Sequence, residues 1–119
     1  MEKISLERLQ HCPVTATMGV IGGKWKMLII YLVINDINRF GKMGMMLKDI
    51  SKQMLTTQLR ELEHDGIIER KIYAEIPPRV EYSLTDKGRS LMPIIDGLRD
   101  WGLEYLIPQI EHKVETPAC

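Results

Sequence analysis

The chain has 119 residues, of which 45% are hydrophobic, and its 16 basic residues balance its 16 acidic ones. This length suits one compact domain with a small core, and zero net charge excludes a global field that would draw the protein to nucleic acid or to an acidic membrane. The charge is nevertheless uneven, because residues 22–71 hold nine basic and six acidic side chains, whereas residues 91–119 hold two and five. The middle of the chain is therefore mildly basic and its C-terminal part acidic.

Cysteine content and hydropathy bound the class of protein further. The two cysteines, Cys12 and Cys119, are too few for a disulfide framework or a cysteine-rich zinc site. The N-terminus, MEKISLERLQ, is charged and amphipathic, unlike a secretory signal, and the longest apolar run, MLIIYLVI, is about half the length that spans a bilayer. We therefore expect one cytoplasmic domain over residues 1–119, with reduced thiols, no membrane partner and a frayed tail at residues 108–119.

In chain order, the first predicted elements are helices. A short helix covers residues 4–11, and Pro13 opens a second, because a proline costs nothing in the first helical turn. Gly22-Gly23 either breaks this helix or allows close packing, and KWKMLIIYLVI continues as a mostly buried helix to about Ile34. After a turn at NDIN, residues 39–47 predict a short methionine-rich helix. Its expected core contacts are Met43, Met46 and Leu47.

The clearest helix begins after the tight turn DIS, with Ser51 as its N-cap. In SKQMLTTQLRELEHDG, the leucines at 55, 59 and 62 share one face. Gly66 stands where a C-cap glycine belongs. A short helix, a tight turn and this longer helix form the helix-turn-helix pattern, whose second helix fits the major groove of B-DNA.

A β-hairpin is predicted directly after this helix. IIERKIYAEI and VEYSL alternate with period two, and PPR between them is a turn with Arg79 at its tip. One side of the first strand is expected to carry Ile68, Ile72, Ala74 and Ile76, and one side of the second Val80, Tyr82 and Leu84. The predicted fold class is therefore mainly α with a small β-hairpin wing (α+β), a winged helix-turn-helix.

The C-terminal part predicts a last, unusually apolar helix. Thr85 can cap the segment that follows the hairpin, and Pro93 should kink or restart it. This helix has more hydrophobic surface than a monomer of this size would expose, so we expect a homodimer formed through the N- and C-terminal helices. The alternative is that the helix packs on its own domain. The predicted interface residues are Leu6, Leu9, Ile94, Ile95, Leu98, Trp101 and Tyr105.

The chain resembles the HxlR-type transcriptional regulators, which are winged-helix proteins akin to the MarR group. The resemblance rests on CPVTATMGVIGGKWKMLIIYLV and ISKQMLTTQLRELEHDGIIERKIYAEIPPRVEYSLTDKGRSLMPIIDGLRDWG, and it covers about residues 12–102. It implies a dimeric bacterial regulator that binds double-stranded operator DNA and responds to oxidants, electrophiles or small metabolites. The methionine cluster in RFGKMGMMLKDIS and the residue Cys119 depart from the family pattern.

Candidate DNA contacts follow from the polar face of the second helix of the motif. Gln53, Thr57 and Arg60 lie opposite the leucine stripe and are the predicted readers of base edges. Glu61 and His64 lie too far along the helix to touch DNA. The residues near the helix N-terminus, where an anion is favoured, are the predicted phosphate contacts. These are Ser51, Lys52 and Thr56.

Three further basic residues are candidates outside that helix. Arg79 is the predicted wing contact, with Lys71 on the strand as a second, and the alternative for Arg79 is an ion pair with Glu75 or Glu81. Lys24 is predicted to touch phosphate, because the glycine pair before it could bring the backbone close to the duplex. The alternative is an ordinary exposed lysine.

Cys12 is the candidate sensor thiol. It stands at or just before the N-cap of the helix that Pro13 opens, where amide groups and the helix dipole favour a thiolate. Its alternative role is buried packing, and a small ligand is the other candidate signal. No base accompanies this thiol, and neither a phosphate loop nor metal-ligand spacing occurs, so we predict no catalytic residue, no metal and no cofactor. A winged-helix protein-interaction module that does not bind DNA is the alternative function.

Overall fold

The computed structural model describes residues 5–107, so the predictions about Ile4, Cys119 and the tail at 108–119 lie outside it. Within these residues no single helix is long and apolar enough to cross a membrane, although the two helices Pro13–Ile21 and Lys26–Ile34, which are bent against each other, would together pass that test by length and composition. The elements in chain order are α1 (Leu6–Gln10), α2 (Pro13–Ile21), α3 (Lys26–Ile34), α4 (Phe40–Met46), α5 (Lys52–His64), β1 (Ile68–Tyr73), β2 (Arg79–Leu84), α6 (Asp86–Arg89) and α7 (Met92–Tyr105).

The glycine pair breaks the long apolar segment into α2 and α3, which meet at a bend of 69°. Gly23 has φ +92°, a left-handed conformation that favours glycine. A Cβ at Gly22 would collide with the carbonyl oxygen of Met18. Of the two roles predicted for this pair, the break is therefore the one that the structure shows, and it frees α3 to turn into the core.

Helix α5 is the best-anchored element, and its predicted boundaries are confirmed. Ser51 Oγ accepts a hydrogen bond from the Met54 amide at 3.0 Å, and Gly66, just after the C-cap Asp65, has φ +75°. The leucines at 55, 59 and 62 are all buried. They form one buried cluster with Ile29 and Ile30 of α3, Met43 of α4, Ile67 just before β1 and Ile68 at its start.

Helix α4 differs from its prediction at one of three expected core positions. Met43 and Leu47 are buried, but Met46 is 51% exposed, so its assignment to the core was wrong. Met43 and Leu47 are four residues apart and both reach the core, whereas Met46 stands about 60° round the helix from Met43. The last turn of α4 therefore turns this methionine towards solvent.

The wing is a two-stranded antiparallel hairpin in which Ile68 pairs with Leu84 and Tyr73 pairs with Arg79. Arg79 is thus the first residue of β2, and its predicted position at the hairpin tip was wrong, because the connection spans residues 74–78. Of the predicted apolar side of the first strand, only Ile68 is buried. Ala74 and Ile76 lie beyond the end of β1, so they gain no cover from a partner strand.

The chain after the wing forms two separate helices, so the helix restarts near Pro93 rather than kinks there. Thr85 Oγ1 accepts a hydrogen bond from the Gly88 amide at 2.9 Å and so caps α6, as predicted. Helix α7 then begins at Met92 with Pro93 in its first turn. Ile95 is the one residue of α7 that is buried.

Candidate nucleic-acid interface

The outer face of α5 carries the three predicted base readers, and all three are exposed. Thr57 Oγ1 donates its proton to the Gln53 carbonyl at 2.9 Å, which leaves the oxygen lone pairs and the γ-methyl group for a partner. Within residues 5–107 no hydrogen bond or ion pair engages the Gln53 amide or the Arg60 guanidinium. This face therefore offers donors, acceptors and a methyl group on a helix that the core holds fixed.

The N-terminal turn of α5 carries the predicted phosphate contacts. Ser51 uses its oxygen as an acceptor for the Met54 amide and keeps its hydroxyl proton to donate. Lys52 is exposed beside it. Thr56 is different, because its hydroxyl donates to the Lys52 carbonyl at 2.8 Å. Ser51 and Lys52 therefore differ from Thr56, whose hydroxyl proton is already used within α5.

An ion pair that sequence reasoning missed holds the side of α5. Lys26, in the first turn of α3, is 6% exposed, and its Nζ donates to Glu61 Oε1 at 2.9 Å. Glu61 therefore does not lie free on the polar face. The two residues are 35 positions apart in the chain. The one local sign of this pair in the sequence was a lysine at the start of a helix, where the dipole disfavours a cation.

The wing cations are engaged within their own chain. Arg79 Nε lies 3.0 Å from Glu75 Oε2 and 3.7 Å from Glu81 Oε2. The structure thus shows the ion pairs that were the alternative prediction for Arg79. The Nε–H group is buried and makes no well-aligned hydrogen bond with either carboxylate. The guanidinium lies 4.0 Å from the centre of the Tyr73 ring, and Lys71 Nζ lies 5.1 Å from the same centre. Arg79 could contact a DNA phosphate only if it first gave up its ion pairs with Glu75 and Glu81.

Lys24 lies on another part of the surface. Its Nζ is 4.7 Å from the centre of the Trp25 ring. Both residues line a shallow pocket of about 330 Å³ between α3 and the end of α4, to which Lys48 also contributes. The structure brings Lys24 and Lys48 together, and no α5 residue lines that pocket.

Apolar side chains of the predicted dimer interface are exposed on both α1 and α7. The exposed residues of the predicted interface set are Leu6, Leu9, Ile94, Leu98, Trp101 and Tyr105. The Trp101 and Tyr105 rings are 5.3 Å apart, centre to centre. Ile95 must be removed from that set, because it is 5% exposed and belongs to the core of its own chain.

Cys12 is the N-cap of α2 and is partly exposed. The amides of Thr15 and Val14 face the sulfur, without a cap hydrogen bond of good geometry, and lower the pKa of the Cys12 thiol from its ordinary value. Within residues 5–107, no group of three or more His, Cys, Asp or Glu side chains could hold a metal ion. Amide groups of α2 thus favour the thiolate form of Cys12.

Comparison with known proteins agrees with this architecture. A family model described as HxlR-like helix-turn-helix matches residues 20–110. The uncharacterized HTH-type transcriptional regulator YdeP of Bacillus subtilis (strain 168) is 46% identical over 101 residues, which cover 85% of this chain and 79% of YdeP. YybR, another HTH-type transcriptional regulator of that strain, is 50% identical over 93 residues, 78% of this chain and 74% of YybR.

Two solved structures of similar proteins show the same fold. The redox regulator HypR in its oxidized form is 49% identical, with a TM-score of 0.73 over 78% of this chain and 96% of that one. Its reduced form is 44% identical, with a TM-score of 0.74 over 86% and 99%. The helices and the hairpin form the winged helix-turn-helix of such regulators. The chain belongs to the HxlR-like helix-turn-helix family and is a transcriptional regulator of the helix-turn-helix type.

Proposed function

We propose that the protein is a homodimer that binds double-stranded DNA sequence-specifically and reads an inverted-repeat operator with α5 of each subunit. The observation that carries this proposal is the outer face of α5. Gln53, Thr57 and Arg60 stand exposed there, while the opposite face is fixed in the core by three buried leucines. A helix held in this way can enter the major groove without losing its own packing.

Each exposed side chain suits a different feature of a base edge. The Gln53 amide can pair with adenine, the Arg60 guanidinium with guanine, and the Thr57 methyl group can contact the thymine methyl group. Ser51 and Lys52 are proposed to hold phosphates. Thr56 would join them only after its bond to the Lys52 carbonyl is released.

The wing and Lys24 are proposed as secondary backbone contacts. Arg79 would exchange Glu75 and Glu81 for phosphate, and Lys71 would leave the Tyr73 ring in the same way. Such exchanges cost part of the binding energy, because each intramolecular pair must be broken first. We therefore expect the wing to contribute less to affinity than α5 does.

The dimer is proposed from the exposed apolar side chains of α1 and of α7. Leu98 and Trp101 are exposed on α7, as Leu6 is on α1, and a second copy would cover such a surface with the same surface of its own. The alternative is that α7 packs on its own domain, but Ile95 is the one residue of α7 that is buried there. Two copies of α5 would then lie about one DNA turn apart.

Selection of duplexes from a randomised library by the wild-type protein tests this function. We expect an inverted repeat with half-sites about 10 base pairs apart, bound with an affinity that falls steeply as salt rises. Gln53→Ala and Arg60→Ala should each relax the preference at one position of the half-site, whereas Gln58→Ala, on the flank of α5, should not. If no duplex is enriched, the function fails and the protein-interaction module takes its place.

Cys12 is proposed as the sensor thiol of this regulator. Its lowered pKa and partial exposure support the proposal, as does the likeness to a redox regulator solved in oxidized and reduced forms. Two thiols, Cys12 and either a small thiol or Cys12 of the partner subunit, would lose two electrons and two protons to an oxidant and form a disulfide. A small ligand is the alternative signal.

The lowered pKa predicts how Cys12 reacts with pH. In a Cys119→Ser background, the rate of alkylation by iodoacetamide should rise at a lower pH in the folded protein than in the urea-unfolded one, because the amides of α2 favour the thiolate only when folded. Oxidant should release DNA from this protein, thiol reductant should restore binding, and Cys12→Ser should resist release. Equal release from both proteins would exclude Cys12 as the sensor.

A further inference from the structure

Lys26 is the one charged side chain that is buried among residues 5–107. Its partner Glu61, 2.9 Å away, keeps 49% of its side chain exposed. Lys26 lies in the first turn of α3, where the helix dipole disfavours a cation. Burial and the helix dipole both disfavour the charge of Lys26, and the Glu61 carboxylate is the group that compensates for it.

We propose that Lys26 is a positioning residue for DNA binding that acts through Glu61. It holds the Glu61 carboxylate against α3 and neutralises it, so that position 61 presents no unpaired negative charge to DNA beside Thr57 and Arg60. This inference rests on the proposed function, because it assumes that α5 is the DNA-reading helix.

The position of the pair relative to the proposed base readers supports this role. Glu61 follows Arg60 in the chain and stands one helical turn after Thr57. A hollow of about 400 Å³ is lined by Lys26 and Glu61 together with Thr57, Arg60 and His64 of α5, the C-cap residue Asp65 and Gly19 of α2. Residues four apart on a helix have Cβ atoms about 5–6 Å apart, which places Glu61 beside Thr57 and within the screening length of about 8 Å at physiological salt. An unpaired Glu61 carboxylate would therefore repel phosphates that approach the part of α5 around Thr57.

The unequal burial of the two partners separates this role from a purely structural one. Glu61→Gln leaves a buried ammonium group without a counter-charge, which destabilises the fold. Lys26→Met leaves a half-exposed carboxylate that water can solvate, so the loss of stability is smaller. DNA affinity should rank the two variants in the opposite order, because Lys26→Met is the one that unmasks a negative charge.

The test is a double-mutant cycle with the duplex that the wild-type protein selects from a randomised library. At low salt, Lys26→Met should weaken binding about tenfold, and this loss should shrink as salt screens the repulsion. Glu61→Gln and the double variant should stay within about twofold of the wild type, since neither carries the carboxylate. Lys26→Arg, which keeps the charge, should bind like the wild type. Thermal unfolding should show that Glu61→Gln is the less stable of the two single variants.

Each other outcome has a definite meaning. If Glu61→Gln tightens binding by the factor that Lys26→Met loses, the two charges act independently and this inference is overturned. If affinity and stability rank the single variants alike, the pair is only structural and the inference again fails. A wild-type protein that selects no duplex overturns the proposed function together with it. Lys26→Gln replaces Lys26→Met in the same cycle if the methionine variant does not fold.

Discussion

Helices α5 and α7 are nearly equal in length, with 13 and 14 residues, and both carry an apolar stripe. In α5 the stripe is buried by the rest of the same chain and the polar face is left to solvent. In α7 the proportions are reversed, because Ile95 alone is buried and Leu98, Trp101 and Tyr105 are exposed. Amphipathic periodicity thus shows that a face is apolar, but it does not show which molecule covers that face.

The difference in burial also suggests a division of work between the two helices. The buried stripe of α5 fixes the orientation of the polar face opposite to it, which is what a reading helix needs. The exposed stripe of α7 leaves a surface on which a second copy can dock, which would set the distance between two reading helices. Variants that affect one helix and spare the other test this division.

The largest effect is expected from the buried stripe of α5. Leu62→Ala removes a side chain from the core and should lower the free energy of unfolding by about 3 kcal/mol, as measured by urea denaturation at a fixed protein concentration. The control Gln58→Ala, on the flank of the same helix, should change it by less than about 0.5 kcal/mol. A loss below about 1 kcal/mol for Leu62→Ala would contradict its place in the core.

A substitution in the exposed stripe of α7 should weaken dimerisation rather than folding. Trp101→Ala should weaken the dimer by about 2 kcal/mol, or about thirtyfold in Kd, because large aromatic side chains carry most of the energy of an interface. Sedimentation over a range of concentrations measures this change, while circular dichroism should show unchanged helix content. Glu104→Ala on the same helix is the control. A wild-type protein that stays monomeric at high concentration would rule out the dimer.

The elements that could be predicted from the sequence are those with local causes. Ser51 and Gly66 mark the ends of α5 because a capping oxygen and a left-handed residue act within a few positions of the chain. The break at Gly22-Gly23 was one of two open alternatives, since a glycine pair permits a bend without requiring it. The helix-turn-helix and its wing followed from these local signals in order.

What could not be predicted depends on contacts between distant segments. The Lys26–Glu61 pair joins positions 35 residues apart, and no helical or strand period links them. Met46 was misassigned because α4 is short and contains two glycines, so its sequence does not determine which side of the helix faces α5. The exposed and buried members of the α7 stripe could not be separated either, because Ile94 and Ile95 are chemically identical and differ only in direction.

A smaller effect separates the two roles of Ser51, which caps α5 and is proposed to bind phosphate. Ser51→Ala should lower stability by about 1 kcal/mol and also weaken DNA binding. Ser51→Asp keeps an oxygen for the Met54 amide, so it should retain stability, but its charge should repel phosphate and weaken binding more than alanine does. If Ser51→Asp binds DNA like the wild type, the N-terminal turn of α5 does not face a phosphate.

The smallest effect concerns one methyl group on the outer face of α5. Thr57→Ser keeps a hydroxyl that can still donate to the Gln53 carbonyl but removes the γ-methyl group, which should weaken binding about fourfold at the rate of about 0.8 kcal/mol per buried carbon. Substituting deoxyuridine for thymidine in the selected half-site should cost the wild type the same factor and cost Thr57→Ser nothing further. Thr57→Val, which keeps a methyl group, should retain the preference for thymine. A deoxyuridine penalty that persists in Thr57→Ser would assign the thymine methyl group to another side chain and leave Thr57 with a role within its own helix.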